Sequence, residues 1–239
     1  MLWLWILAAL AAYYIKGLCG FANTLVFTSI LGFGSANIEI SPVELILGLP
    51  ANVFMTLKNR KKLNPRVYVP LAVLVMLGAV PGAFLLKNLN AGYIKIIFGA
   101  VVILLGVEML LREVKVLKFR ESKLVLALIG IISGVMCGLF GVGALLAAYI
   151  GRVTGTSEEF KANINAVFIV ENSFRVILYA VMGIITLESL KMAALLLPFM
   201  AAGLFLGMLS AKRMDEKLVK RFIVVLLIIS GVIMILKNV

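Results

Sequence analysis

The feature that most constrains this chain is a series of apolar stretches, several of which reach the roughly 20 residues that a helix needs to cross a membrane. The first extends from about Leu2 to Phe33. Of the 239 residues, 63% are hydrophobic and only 14% are charged, whereas soluble domains carry about 25% charged residues. No stretch shows the apolar and polar alternation of a membrane β-barrel. We therefore predict an all-α, multi-pass protein of the cell membrane, surrounded by the lipid bilayer.

Two glycine-rich segments interrupt this apolar pattern. The segment GLCGFANTLV at 17–26 aligns without a gap with GLFGVGALLA at 138–147. Further along each half, Asn52-Val53-Phe54 matches Asn172-Ser173-Phe174, and Gly78, Gly82 and Lys87 match Gly203, Gly207 and Lys212. Matching residues that occur in the same order in both halves predict a duplication. The first repeat would occupy residues 1–112, a charged cytoplasmic linker 113–123, and the second repeat 124–239.

Turn and capping residues predict the helix boundaries within each repeat. Ser41 as a cap and Pro42 at the first helical position predict that the second helix begins at Pro42 and continues to about residue 57. The remaining predicted segments are helices at about 67–86, 93–111, 163–182 and 190–209, a polar loop at 151–161, and a last helix ending near residue 236.

The basic residues of the loops indicate how the two repeats are oriented, because Lys and Arg accumulate on the cytoplasmic side. The loop at 58–66 is basic, whereas its counterpart at 183–190 has no Lys or Arg. The turn at 87–92 has one basic residue, whereas its counterpart at 210–221 has several. This exchange of charge predicts an inverted repeat, with the N- and C-termini outside.

An inverted repeat requires an odd number of crossings in each half. We predict that each half contains a broken or re-entrant helix hairpin followed by three transmembrane helices, with the first hairpin tip at Gly17 to Gly20. The alternative is eight full crossings of the membrane, four in each half.

Helix breaks inside a membrane expose backbone N–H groups, and helix N-termini attract anions. Two inverted hairpins meeting tip to tip would aim both N-termini at one point near the midplane. Lys16 and Arg175 could add positive charge there, and asparagines could add hydrogen-bond donors. The candidate substrate-binding residues are Lys16, Gly17, Gly20, Asn23, Thr24, Asn52, Gly138, Gly141, Gly143, Asn172 and Arg175.

Each of these candidates also has a purely structural interpretation. Arg175 could pair with Glu171 one helical turn earlier, and Lys16 could extend towards the membrane interface. The asparagines could form hydrogen bonds between helices without a ligand. The pairs Gly78–Gly82 and Gly203–Gly207 have the spacing of close helix packing, which Gly134 and Gly138 share.

Other function classes lack support in the sequence. The net charge is +12, but no basic stretch is interleaved with aromatic residues as nucleic-acid sites are. With Cys19 and Cys137 as the only cysteines and no histidine, neither a disulfide framework nor a metal site is predicted. The first residues lack the basic n-region of a signal peptide. We therefore interpret them as part of the mature protein, with Trp3 and Trp5 as interface anchors. No cofactor is predicted.

The paired motifs at 17–21 and 138–143, with the basic loop after the second helix and the charged linker, resemble the TauE/SafE sulfite exporter family. The resemblance extends over essentially the whole chain. It implies a secondary transporter, not an enzyme, that moves small sulfur oxyanions or organosulfonates and is coupled to an ion gradient.

Several functional questions stay open from the sequence. A membrane thiol–disulfide relay through Cys19 and Cys137 and an anion channel are the alternatives to a transporter. The coupling ion could be a proton or sodium, and proton coupling would need a carboxylate such as Glu44, Glu108 or Glu171 because histidine is absent. The anion, the direction of transport and the oligomeric state also stay open.

Overall fold

The computed structural model describes residues 2–114 and 123–211, together with 213, 225, 228–229, 231–233 and 235–236. Within these residues there is no β-strand, which confirms the all-α prediction. A 3₁₀ turn at Arg60–Lys62 follows the third helix. The helices are α1 (Leu2–Cys19), α2 (Asn23–Leu31), α3 (Asn37–Lys58), α4 (Pro65–Asn88), α5 (Ala91–Val114), α6 (Lys123–Phe140), α7 (Ala144–Val153), α8 (Ser157–Val181) and α9 (Leu187–Ser210).

Five of these helices, α1, α3, α4, α8 and α9, are long and apolar enough to cross a membrane. Shorter apolar helical segments occur at Ala91–Leu104, Leu126–Phe140 and Ala144–Val153. The chain is therefore a multi-pass membrane protein. Most of the predicted linker at 113–123, of the basic turn at 210–221 and of the last helix lies outside the described residues.

The predicted start of the second helix is wrong. α3 begins at Asn37 rather than Pro42, because Glu39 supplies a cap: its Oε2 accepts a hydrogen bond from the Ala36 N–H at 3.2 Å. Pro42 lies inside the helix, where a proline removes a single intrahelical donor.

The predicted loop at 151–161 is also mostly wrong, since α7 extends to Val153 and α8 begins at Ser157. Thr156 caps α8 by accepting a hydrogen bond from the Glu159 N–H at 3.2 Å. Glu158 and Glu159 lie in the first turn of α8, where negative charge stabilises a helix N-terminus. Polar composition there marks a helix start rather than a long loop.

Glycines bring two pairs of helices into close contact, and this confirms the predicted packing role of their spacing. A Cβ on Gly207 of α9 would lie 3.0 Å from the Cα of Gly17 in α1. A Cβ on Gly78 of α4 would lie 2.9 Å from the Cα of Gly134 in α6. The first helix of each predicted repeat therefore packs against a helix of the other repeat.

The contacts also define helix directions. Leu10 of α1 lies beside Gly203 of α9, and four residues further along each helix Tyr14 lies beside Gly207. α1 and α9 therefore run parallel. α3 and α8 run antiparallel: Asn163, near the start of α8, donates to the Lys62 carbonyl just after α3. Since the turn after α8 makes α9 antiparallel to it, α1 and α3 run in the same direction.

The second half has the same arrangement. α4 and α8 run parallel, because Asn64 donates to Asn163 near their starts and Lys87 donates to the Met182 carbonyl near their ends. α6 runs parallel to α4 through the matched glycine contacts. In both halves the helix before the break thus runs parallel to the helix after the hairpin. This direction fits a two-armed break at the start of each half, while the re-entrant hairpin and the inverted duplication remain predictions.

Candidate functional site

The two breaks share a left-handed glycine at matched positions, although the first also has Ala22 at a φ of 72° where the matching Gly143 has a φ of −107°. Gly20 has a φ of 86° and Gly141 a φ of 73°, in the region that costs other residues about 1–2 kcal/mol. Each glycine N–H donates at 2.7 Å to the carbonyl four residues earlier, in Lys16 and Cys137 respectively. The first break therefore lies at residues 20–22, and α1 continues through Gly17, where the tip was predicted to begin.

The two breaks face one another across a small pocket. Both helix starts, those of α2 and α7, contribute to its wall. The first N–H groups of a helix have no intrahelical acceptor, so both starts offer donors at this place. The lining residues are Phe21, Ala22, Asn23, Thr24, Leu25, Gly141, Val142, Gly143, Ala144 and Phe168.

A buried hydrogen-bonded network lies beside the first break. The Lys16 Nζ donates to the Asn52 Oδ1 at 2.6 Å and to the Asn23 Oδ1 at 3.1 Å. The Glu44 Oε1 accepts from the Asn23 Nδ2 at 2.5 Å and from the Thr24 Oγ1 at 2.7 Å. Lys16 is 0% exposed, so the interpretation in which it extends to the membrane interface is wrong.

A second buried network lies beside the second break. The Arg175 Nε lies 3.0 Å from the Glu171 Oε1, which confirms the predicted helical pair. This is an ionic contact only, since the Glu171 oxygens accept no hydrogen bond from the described residues. Arg175 also donates to the Cys137 carbonyl and, at 3.1 Å, to the Asn172 Oδ1.

Gly141 is where the two networks meet. A Cβ on Gly141 would lie 2.8 Å from the Thr24 Cγ2, 3.1 Å from the Glu44 Oε2 and 3.2 Å from the Arg175 Nη1. The absence of a side chain thus lets the second break approach the Lys16 and Glu44 network. The two networks together combine two cations and two carboxylates with two helix starts.

α8 holds the carbonyl groups at the ends of both α1 and α6. The Lys161 Nζ donates to the Leu18 carbonyl and the Asn165 Nδ2 to the Gly20 carbonyl, each at 3.0 Å. Near the other end of α8, Tyr179 donates to the Gly138 carbonyl at 2.7 Å. Because helix ends leave carbonyls without intrahelical partners, α8 stabilises both breaks.

The candidates from the sequence fall into three groups by position. Four of them, Asn23, Thr24, Gly141 and Gly143, line the pocket, and Gly20 forms the first turn beside it. Two lie elsewhere: Gly17 contacts α9, and Gly138 contacts Ala79 of α4. The network residues around the pocket are Lys16, Asn52, Asn172 and Arg175.

Sequence reasoning missed Glu44 and Phe168 as site residues. Glu44 was considered only as a proton carrier, although it lies on α3 two helical turns before Asn52 and thus on the same face. Phe168 gave no signal among many apolar residues; its ring centroid lies 5.7 Å from the Lys16 Nζ. Both cysteines are buried and neither forms a disulfide, and the described residues contain no cluster able to hold a metal ion.

The helical fold and its long apolar helices define the class of the protein as a multi-pass membrane protein. The chain belongs to the sulfite exporter TauE/SafE family, because the family profile described as Sulfite exporter TauE/SafE matches residues 5–234. That family comprises transporters of sulfite and related sulfur anions rather than enzymes. A search of curated proteins and a search of solved structures each found no match.

Proposed function

We propose that this protein is a secondary transporter that moves a small sulfur-containing anion, either sulfite, thiosulfate or an organosulfonate, across the cell membrane by alternating access. One observation carries the proposal: the pocket is walled by the starts of both α2 and α7. Their free N–H groups and partial positive charges suit an oxyanion near the midplane. The pocket lies within the buried interior, where irregular backbone at membrane depth is tolerated.

The polar side chains have distinct roles in this proposal. Lys16 supplies the positive charge nearest the first helix start, while Asn52 orients its ammonium group. Asn23 and Thr24 offer donors from the pocket wall. Arg175 adds positive charge from the opposite side and is oriented by Asn172. Gly20, Gly141 and Gly143 shape the backbone, and Gly17 and Gly138 fix the helices behind it.

Alternating access is supported by the helix contacts that hold the two breaks. Helix α1 packs against α9 and α6 against α4 through glycines, so each break is attached to a helix of the other predicted repeat. Discontinuous helices at the interface of two repeats are typical of transporters that alternate between two sides. The N- and C-termini are proposed to lie outside the cell, as the loop charges predict.

Anion binding to the purified protein tests the proposal directly. We expect thermal stabilisation by at least one of sulfite, thiosulfate, sulfoacetate and taurine, and none by an equal concentration of potassium chloride. A ligand at 100 times its Kd stabilises a protein by about 2.7 kcal/mol. Absence of stabilisation by all four compounds would contradict the proposed substrate class.

Counterflow in proteoliposomes then separates a transporter from a channel. An excess of unlabelled substrate inside the vesicles should accelerate uptake of labelled substrate, because an alternating site returns to the outside with unlabelled substrate bound. A channel would instead let the labelled and unlabelled pools equilibrate without this acceleration.

A further inference from the structure

The charges buried around the pocket balance without a substrate. Among the side chains that the structure describes, four groups charged at neutral pH are at most 2% exposed: Lys16, Glu44, Glu171 and Arg175. Two are positive and two are negative. An added anion would leave this region with net negative charge, and an uncompensated charge in a low-dielectric interior is costly. Binding of an anion therefore requires a compensating charge.

Of the two buried carboxylates, Glu44 is the one that shares its donors with the pocket. Its Oε1 accepts from Asn23 and Thr24, and both of these residues line the pocket. Glu171 does not line the pocket and is paired with Arg175. At the second break the positions that match Asn23 and Thr24 are Ala144 and Leu145. Side-chain donors at a helix start thus exist only where Glu44 reaches them.

We propose that Glu44 occupies these donors in place of the substrate when the site is empty. When the anion binds, Glu44 takes up one proton from water, so that transport carries one proton with each anion. This inference rests on the proposed function. The protonated carboxyl releases the Asn23 and Thr24 donors to the anion, and the buried charge returns to zero.

The surroundings of Glu44 leave it as the group that accepts the proton. The ionisable groups that interact with it are Tyr13 and Lys16 of α1, Cys137 of α6, and Glu171, Arg175 and Tyr179 of α8. Tyrosines and thiols are neutral already at pH 7. Loss of a proton from Lys16 would add to the negative balance rather than offset it.

Proton uptake during anion binding provides the test. Calorimetric titrations of purified protein in two buffers with different ionisation enthalpies count the protons, using the anion that gives the largest thermal stabilisation. We expect about one proton per anion for the wild type and none for Glu44→Gln. Linkage then predicts that wild-type affinity falls about tenfold per pH unit at high pH, whereas the affinity of Glu44→Gln stays level.

The matched control is Glu171→Asp, which keeps the second buried carboxylate and the charge balance and should keep both the proton count and the pH profile of the wild type. A displaced pH profile in Glu171→Asp but not in Glu44→Asp would overturn the assignment. If Glu44→Gln fails to fold, Glu44→Asp retains a carboxylate and should take up the proton with a displaced pH profile. A Glu44→Asp protein that binds the anion with a level pH profile would overturn the proposal.

Failure of this inference can be distinguished from failure of the proposed function. Wild-type protein that binds an anion without taking up a proton, including binding that depends on sodium instead, overturns this inference and leaves the proposed function intact. Wild-type protein that binds none of the anions at any pH overturns the proposed function and this inference with it.

Discussion

At the first break Lys16 lies one turn before the chain reversal, whereas the matching position at the second break is Cys137. The glycine turns are alike: Gly20 and Gly141 have similar positive φ angles and donate to those two residues at the same distance. The second break receives its cation from α8 instead, as Arg175. The backbone donors therefore occur twice, while each break obtains its positive charge from a different element.

The asparagines that match between the halves follow the same rule. Asn52 accepts a hydrogen bond from Lys16 and Asn172 accepts one from Arg175. Each asparagine thus orients the cation of one break although the cations themselves occupy unrelated positions. The comparison teaches that the two halves agree in the glycine turns and in the orienting amides, and differ where a carboxylate must reach the pocket.

The largest expected effect is an all-or-none difference between the two halves in labelling. Lys61 lies in the 3₁₀ turn after α3 and Glu188 in the first turn of α9, and both are exposed. In a background without the native cysteines, a membrane-impermeant maleimide on intact cells should label Glu188→Cys but not Lys61→Cys, and should label both after permeabilisation. Labelling of both or of neither in intact cells would contradict the inverted orientation.

Replacing the cation of the first break comes next. Lys16→Met keeps the length of the side chain but removes its charge, and we expect anion affinity to fall about 30-fold or more, since losing one partner of a buried charge pair costs about 2–5 kcal/mol. The double variant Lys16→Met, Glu44→Gln should regain thermal stability, because no carboxylate is left uncompensated, without regaining affinity. Calorimetry and thermal unfolding measure the two effects. Full affinity in Lys16→Met would remove Lys16 from the site.

A methyl group at the two glycine turns should have unequal effects. Both Gly20→Ala and Gly141→Ala carry the backbone cost of positive φ, about 1–2 kcal/mol. The Gly141 methyl would also meet Thr24, Glu44 and Arg175, whereas the Gly20 methyl meets the flexible stem of Lys161. We expect roughly tenfold slower transport in Gly141→Ala than in Gly20→Ala at equal expression. Equal transport rates would argue against convergence of the two networks at Gly141.

The smallest effect is expected at the cysteines. Cys19 and Cys137 are buried, and a buried thiol is usually a small hydrophobic group. The variant Cys19→Ala, Cys137→Ala should transport within about twofold of the wild type, with a modest loss of stability from the removed sulfur volumes. Transport assays in proteoliposomes check this. Abolished transport in a folded double variant would revive the thiol–disulfide relay.

Local sequence patterns were sufficient for much of the fold. The aligned glycine motifs located both breaks to within a few residues, and the glycine spacing identified both close helix contacts. Helix starts were less predictable: Pro42 looked like a first helical residue, but the cap formed by Glu39 moves the start of α3 earlier. A competing cap a few residues away outweighs the preference of a proline for the first turn.

The site was only partly predictable for a different physical reason. Lys16 stood out because a charge inside an apolar stretch is costly and conspicuous. Glu44 did not, because it lies near a predicted helix start, where an acidic residue is ordinary. Its role depends on α3 running parallel to α1, which places it against Asn23 and Thr24. That proximity is a property of tertiary packing and cannot be deduced from α3 alone.

The hydrogen bonds from α8 to the ends of α1 and α6 have a mechanical consequence. Lys161 and Asn165 hold one tip, and Arg175 and Tyr179 hold the other. A tilt of α8 would displace both tips at once. A single rigid element linking the two breaks reduces their motion to one degree of freedom, and independent motion of either break would require breaking these bonds.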